Sequence, residues 1–164
     1  MMGMKSVFAL LLCVFAICAA VAQDPPATAV APAKQKSAGF DPKRDAAKDI
    51  SDAIAKAKKD KKRVLIDIGG EWCPWCHKLE EFFEANKDVT KFRDQHFVTV
   101  KVNWSPENKN EAALAKYPKI PSFPHIFILD AEGKLLKAQD TGELESGDHH
   151  DRDKVFDFLK KWAK

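Results

Sequence analysis

The sequence predicts an α/β domain on a central mixed sheet, with a parallel core, an antiparallel C-terminal hairpin and helices on both faces. Three observations carry this. Short apolar runs of strand length alternate with segments of helical period, the pattern of a parallel core. Val64 to Ile68 is apolar almost throughout, as in a strand buried on both faces. The last two strand candidates are separated only by Asp130-Ala131-Glu132-Gly133, a turn that forces antiparallel pairing.

Lys5, the uncharged run Val7–Ala22 and the small residues Ala20-Val21-Ala22 form the n-region, h-region and cleavage pattern of a secretory signal peptide over residues 1–22. The run is shorter than the roughly 20 residues of a membrane span; an uncleaved anchor is the alternative. Cys18 is a poor lipoprotein acceptor beside bulky Phe15 and Ile17. Residues 23–40 are rich in Pro, Ala, Lys and Gln and read as a flexible tether, leaving 41–164 as one domain.

Within that domain Asp41-Pro42 offers a cap and a proline at the first helical position, and Ala47, Ile50, Ile54 and Ala57 extend a helix to Asp60. The strand Val64–Ile68 follows, then a helix carrying Leu79, Phe82 and Phe83 inward. Phe97–Val102 is a second strand, Glu107–Lys116 a short helix ended by Tyr117-Pro118, and Ile126–Leu129 a third strand. Lys134–Ala138 returns antiparallel, and Val155, Phe158, Leu159 and Trp162 stripe a terminal helix. With 27 basic and 24 acidic residues the net charge is +3, too balanced to suggest a nucleic acid or a membrane surface as partner. A monomer is expected.

Beyond the leader the only cysteines are Cys73 and Cys76, in Trp72-Cys73-Pro74-Trp75-Cys76-His77. Structural disulfides of a secreted protein would be spread along the chain. A close pair at the start of a helix instead places a thiol where unpaired N–H groups favour the thiolate, which suggests dithiol–disulfide exchange. Zinc sites use the same spacing, but no second Cys-x-x-Cys or spaced His pair accompanies it. Cys73, nearest the helix end, is the expected attacking thiol and Cys76 the resolving one. Pro74 lacks an N–H to give the Cys73 sulfur, which should make the pair less reducing. Trp75 offers an apolar platform or is a packing residue, Trp72 shields the disulfide, and His77 is more simply a surface residue than a thiolate partner. Asp67, on a buried strand, either takes the Cys76 proton or forms a structural ion pair with Lys101. His125 reads as a packed or exposed strand-start residue, and His149-His150 as part of a solvated loop.

Placed on a strand, turn and helix, this pair makes residues 41–164 resemble the thioredoxin superfamily, specifically its secreted members with a variant dipeptide between the cysteines. Asp67 matches the family's buried acid, Lys101 in Val100-Lys101-Val102-Asn103 the lysine that pairs with it, and Pro124 in Phe123-Pro124-His125 the family's cis-proline. The chain departs from thioredoxin in Pro74-Trp75 for Gly-Pro, in Gly69 where a tryptophan is frequent, and in the large Phe123. The resemblance implies a thioredoxin-like fold and a periplasmic thiol–disulfide oxidoreductase. Cys73, Cys76, Asp67 and Lys101 would be catalytic, and Trp72, Pro74, Trp75, Phe123 and Pro124 would contact substrate, the Phe123 backbone pairing with an extended chain. Its partners would be cysteine-containing extracytoplasmic proteins and a redox partner that recharges the pair. No cofactor beyond the disulfide is expected, and the direction leans to reduction or general interchange. The alternatives are an oxidase or isomerase, a copper(I) module using Cys73, Cys76 and His77, and a redox-inert adaptor.

Overall fold

The computed structural model describes residues 39–164; the expected signal peptide and nearly all of the expected tether lie outside the described residues. The first helix, α1 (Ala46–Asp60), begins one turn later than Asp41-Pro42 suggests. Both Asp41 and Asp45 are competent caps. Asp41 closes a local turn by accepting the Lys43 N–H at 2.9 Å, whereas Asp45 accepts Lys48 N–H at 3.1 Å and leads the unbroken helical run. The buried face accordingly carries Ala46 rather than Ala47.

Strand β1 (Arg63–Gly69) leads through a turn into α2 (Pro74–Ala85), then α3 (Lys87–His96) and β2 (Phe97–Asn103). Helix α3 was not anticipated: of its ten residues only Val89 is buried, so its sequence carries almost no apolar stripe. The next helix, α4, shrinks to Glu111–Leu114, because Ser105 and Asn108 form a β-bridge and Asn110 adopts φ 51° in the stretch expected to be helical. Strands β3 (His125–Leu129) and β4 (Leu135–Asp140) follow, then a 3₁₀ turn at Thr141–Leu144 and α5 (Arg152–Trp162). Between the last two, β5 (Glu145–Ser146) and β6 (His149–His150) turn about Gly147, φ 64°.

The four-stranded sheet has the order β2-β1-β3-β4. Its parallel core is the single pair β1–β2, with Asp67 opposite Lys101, while β1–β3 and β3–β4 are antiparallel. Because β3 runs antiparallel to β1, the chain re-enters the sheet at the end where β2 left it.

Strand alternation divides the core between the faces. Val64, Ile66, Ile68, Phe127 and Leu129 pack with α1 and α4. Leu65, Ile126 and Ile128 pack with Leu79, Phe82, Val89, Val155 and Leu159 from α2, α3 and α5. Helices therefore cover both faces, and the carboxyl end of β1 delivers the cysteines between them.

Candidate active site

At the end of β1 the Gly70 carbonyl accepts the Cys73 N–H at 3.0 Å, and this turn makes Cys73 the N-cap of α2. Pro74 fills the first helical position, where its missing N–H would have lacked an intrahelical acceptor in any case. The Cys73 Sγ accepts the Cys76 N–H at 3.1 Å, and the two cysteines form a disulfide. Burial does not separate them: Cys73 is 3% and Cys76 2% exposed. Phe40, itself buried, packs against the pair from within, while Trp75 and Phe123 cover it as partly exposed side chains. Glycine is required at position 69, since a Cβ there would overlap the Cys76 sulfur and press on the Phe40 ring at 3.0 Å.

Two residues before Gly69, and on the same face of β1, lies Asp67. Its burial pushes the carboxyl up to about 6. Lys101 and Arg93 oppose that rise and Glu80 adds to it. The pairing implied by the resemblance is not direct. Lys101 faces Asp67 in register, but its longer side chain reaches Glu80, Nζ to Oε1 at 3.3 Å. No ion pair of Asp67 within 4.0 Å occurs among the described residues. A cavity of about 140 Å³ joins these groups, lined among others by Asp67, Glu80, Arg93, Thr99 and Lys101. Asp67 Oδ1 and Thr99 Oγ1 are buried without a hydrogen-bond partner among the described residues, and the Lys101–Glu80 ion pair is not aligned as a hydrogen bond. A space of this size, with these polar groups on its wall, has room for water beside the carboxyl group.

On the outer side the Phe123–Pro124 peptide is cis, as the resemblance implied, and the Pro124 carbonyl accepts the Thr141 hydroxyl at 2.6 Å. Phe123 lies against Trp104 at 4.8 Å and Trp72 at 5.6 Å between ring centroids, and the Trp72 indole N–H donates to the Trp104 carbonyl at 2.7 Å. Trp72 is thereby turned toward Trp104 and stays 49% exposed. Trp75 meets His150 edge-on at 5.6 Å, with the Lys78 ammonium 4.3 Å from its ring centre.

Residues 45–131 match the family described as Thioredoxin-like. The chain belongs to the thioredoxin-like family. It is 30% identical over 95 residues to the disulfide bond reductase DsbH of Chlamydia pneumoniae, across 52% of this chain and 57% of that protein. It is 28% identical over 109 residues to the thiol:disulfide interchange protein DsbD of Salmonella typhi, across 63% of this chain but 19% of that protein. The chain thus aligns with somewhat more than half of the first relative and a small part of the second. A disulphide isomerase from Xylella fastidiosa superposes with a TM-score of 0.65 at 25% identity, covering 74% of this chain and 94% of that one. A thioredoxin from Thermus thermophilus, 19% identical, shares the fold with a TM-score of 0.51, over 68% of this chain and 81% of that one.

His77 is the third ligand that the copper(I) alternative names. His77 Nε2 engages the Glu71 carbonyl at 2.8 Å, and its side chain lies at the surface, 43% exposed. Among the described residues no group of three or more His, Cys, Asp and Glu side chains could hold a metal ion. His150, expected in a solvated loop, is instead buried between the Trp75 and Phe82 rings, because the β5–β6 hairpin folds back on α2. His125 is buried at 3% exposure, the packed form of the sequence expectation, and burial lowers the pKa of both imidazoles. Sequence reasoning missed Phe40, Glu80 and Trp104. Glu80 had a signal: it lies one helical turn beyond Cys76, on the inward face of an amphipathic helix.

Proposed function

We propose that this chain is an extracytoplasmic thiol–disulfide oxidoreductase that exchanges disulfides with cysteine-containing proteins through Cys73 and Cys76. The observation that carries the reading is the disulfide at the N-terminus of α2, on the same sheet face as a buried carboxyl group raised to about 6. A structural staple needs neither. The helix end stabilises the Cys73 thiolate, which attacks a disulfide sulfur of the partner. The partner's other sulfur leaves, and Cys73 is held in a mixed disulfide. Asp67, largely ionised near neutral pH, then takes the Cys76 proton, directly or through water in the cavity beside it. The Cys76 thiolate attacks Cys73 Sγ, re-forming the intramolecular disulfide and releasing the partner as a thiol. The balance is one disulfide reduced for one dithiol oxidised, and a separate redox partner must restore the dithiol.

Lys101 acts here through charge, holding the Asp67 ionisation within reach of neutral pH while paired to Glu80. Trp72, Trp75, Phe123 and the cis Pro124 form the outer face on which an extended partner would lie, the Phe123 backbone pairing with it and Pro74 shaping the approach to Cys73. The likeness to a protein named disulfide bond reductase supports the reducing direction, and that to one named thiol:disulfide interchange protein supports exchange in general. The leader pattern in residues 1–22 supports export to the periplasm, and the segment 23–40 suits a tether, except that its last residue, Phe40, is buried in the folded part. Among the described residues no helix is long and apolar enough to cross a membrane. Trapping is the test. Cys76→Ser should accumulate a mixed disulfide between Cys73 and a protein substrate, and Cys73→Ser none. Equal accumulation with either variant would overturn the assignment of attacking and resolving thiols.

A further inference from the structure

We propose that Phe40 is a positioning residue of this site, closing the inner side of the disulfide so that Cys76 is shut off from bulk reagents and reaction is directed to Cys73. The inference rests on the reading of Cys76 as the resolving thiol. Phe40 lies 31 residues before the nearest site residue it touches, Glu71, and outside any helix or strand. Yet it is only 3% exposed and shares a cluster with both cysteines. Gly69 makes the room: the Cys76 sulfur and the tip of the Phe40 ring converge on the same side of that residue. The space that a side chain at position 69 would claim is filled from a distant part of the chain.

Three contacts pin the segment. The Phe40 N–H donates to Glu71 Oε1 at 2.8 Å, the Lys101 ammonium lies 4.8 Å from the centre of the Phe40 ring, and the Pro42 carbonyl accepts from Asn108 Nδ2 at 2.9 Å. Phe40 is thus placed beside Cys76 and under Lys101, between the sulfur and the cation that faces Asp67. Its removal would open the Cys76 side to solvent and let Lys101 turn outward. Burial of an aromatic ring in one cluster with both cysteines and beside a functional cation is more than the core needs, because the sheet already has an apolar cluster on each face. Trp75 and Phe123, the partly exposed covers, leave the opposite approach for a partner chain.

The test is alkylation of Cys76 by iodoacetamide in the reduced full-length chain carrying Cys73→Ser, read at the Cys76 peptide by mass spectrometry. Buried thiols react through local opening, so Phe40→Ala should speed modification by about tenfold or more while Phe40→Leu keeps it slow. The acceleration should also be insensitive to low urea, as expected of a local opening that exposes little surface. An unchanged rate in a folded Phe40→Ala variant overturns the proposal. So does an acceleration that rises with urea as steeply as global unfolding, because Phe40 would then act through stability alone. Should Phe40→Ala fail to fold, Glu71→Ala removes the acceptor that holds the segment, together with a carboxylate 3.7 Å from His77; a faster rate supports the plug and an unchanged one overturns it. Alkylation needs no turnover. Absence of protein-disulfide exchange by the unmodified chain would therefore remove the functional reading without touching this result.

Discussion

Replacing Asp67 by Asn should stabilise the protein above neutral pH while slowing its chemistry. The carboxyl group has an ordinary value of 3.8 and is raised to about 6 by burial. A raised carboxyl means that the protonated form is the stabilising one. Its contribution is complete below the unfolded value and is lost as the pH rises through the folded one. At 1.36 kcal/mol for each unit of pKa, the ionised carboxylate costs up to about 3 kcal/mol at pH 8. Asn cannot ionise and avoids that cost. The difference in unfolding free energy between Asp67→Asn and the unmodified protein should therefore be near zero at pH 4 and grow to as much as about 3 kcal/mol by pH 8. Urea denaturation of the oxidised forms at several pH values measures it. Taking the difference cancels the contributions of His125 and His150, whose buried neutral rings lose stability as the pH falls below their ordinary 6.5. Loss of a positioned base should also slow release of the mixed disulfide by about 10² or more, with first attack little changed. A difference in stability that stays flat from pH 4 to 8 would refute the buried, ionising Asp67.

Other expectations follow from the same contacts. Lys101→Met removes the cation that most opposes the rise of Asp67, so the acid-side limb of a pH–rate profile for resolution, where Asp67 ionises, should move to higher pH; an unmoved limb would leave Lys101 without influence on Asp67. Gly69→Ala would force a methyl group onto the Cys76 sulfur and should cost roughly 1–3 kcal/mol of stability in the oxidised form, measured by denaturation; a neutral result would show that the site yields. Phe123→Ala strips the ring that joins Trp72 and Trp104. It should raise KM for a protein disulfide several-fold while sparing reaction with a small aromatic disulfide. Equal loss for both would argue against a docking face.

The sequence made the cysteine pair, Asp67, the cis-proline and most strand positions legible, because each is written in a local run. Val64–Ile68 is apolar enough to read as buried, and Cys73-Pro74 opens a helix on local rules. What it hid depends on partners distant in sequence or on chain geometry. Helix α3 is held by Val89 and the partly buried Phe92 in an otherwise polar stretch, too few for a periodic signal. The shortness of α4 comes from two local departures from helix at Ser105–Asn110, which a helical period does not reveal. His150 is buried because a hairpin folds onto α2, and Phe40 because a glycine far along the chain leaves it room. Lys101 was legible as part of the site but its ion-pair partner was not, since strand register places it opposite Asp67 and only side-chain reach selects Glu80.

The central claim, that Cys73–Cys76 is a cycling rather than a structural disulfide, is tested most directly by its reduction potential. The folded protein is equilibrated with glutathione buffers and the tryptophan fluorescence of the Trp72, Trp75 and Trp104 neighbourhood is followed. A single two-electron transition between about −270 and −120 mV is the expected result, and a midpoint near −250 mV or below would favour the reducing direction. A midpoint below about −300 mV would mark a structural disulfide and contradict the account.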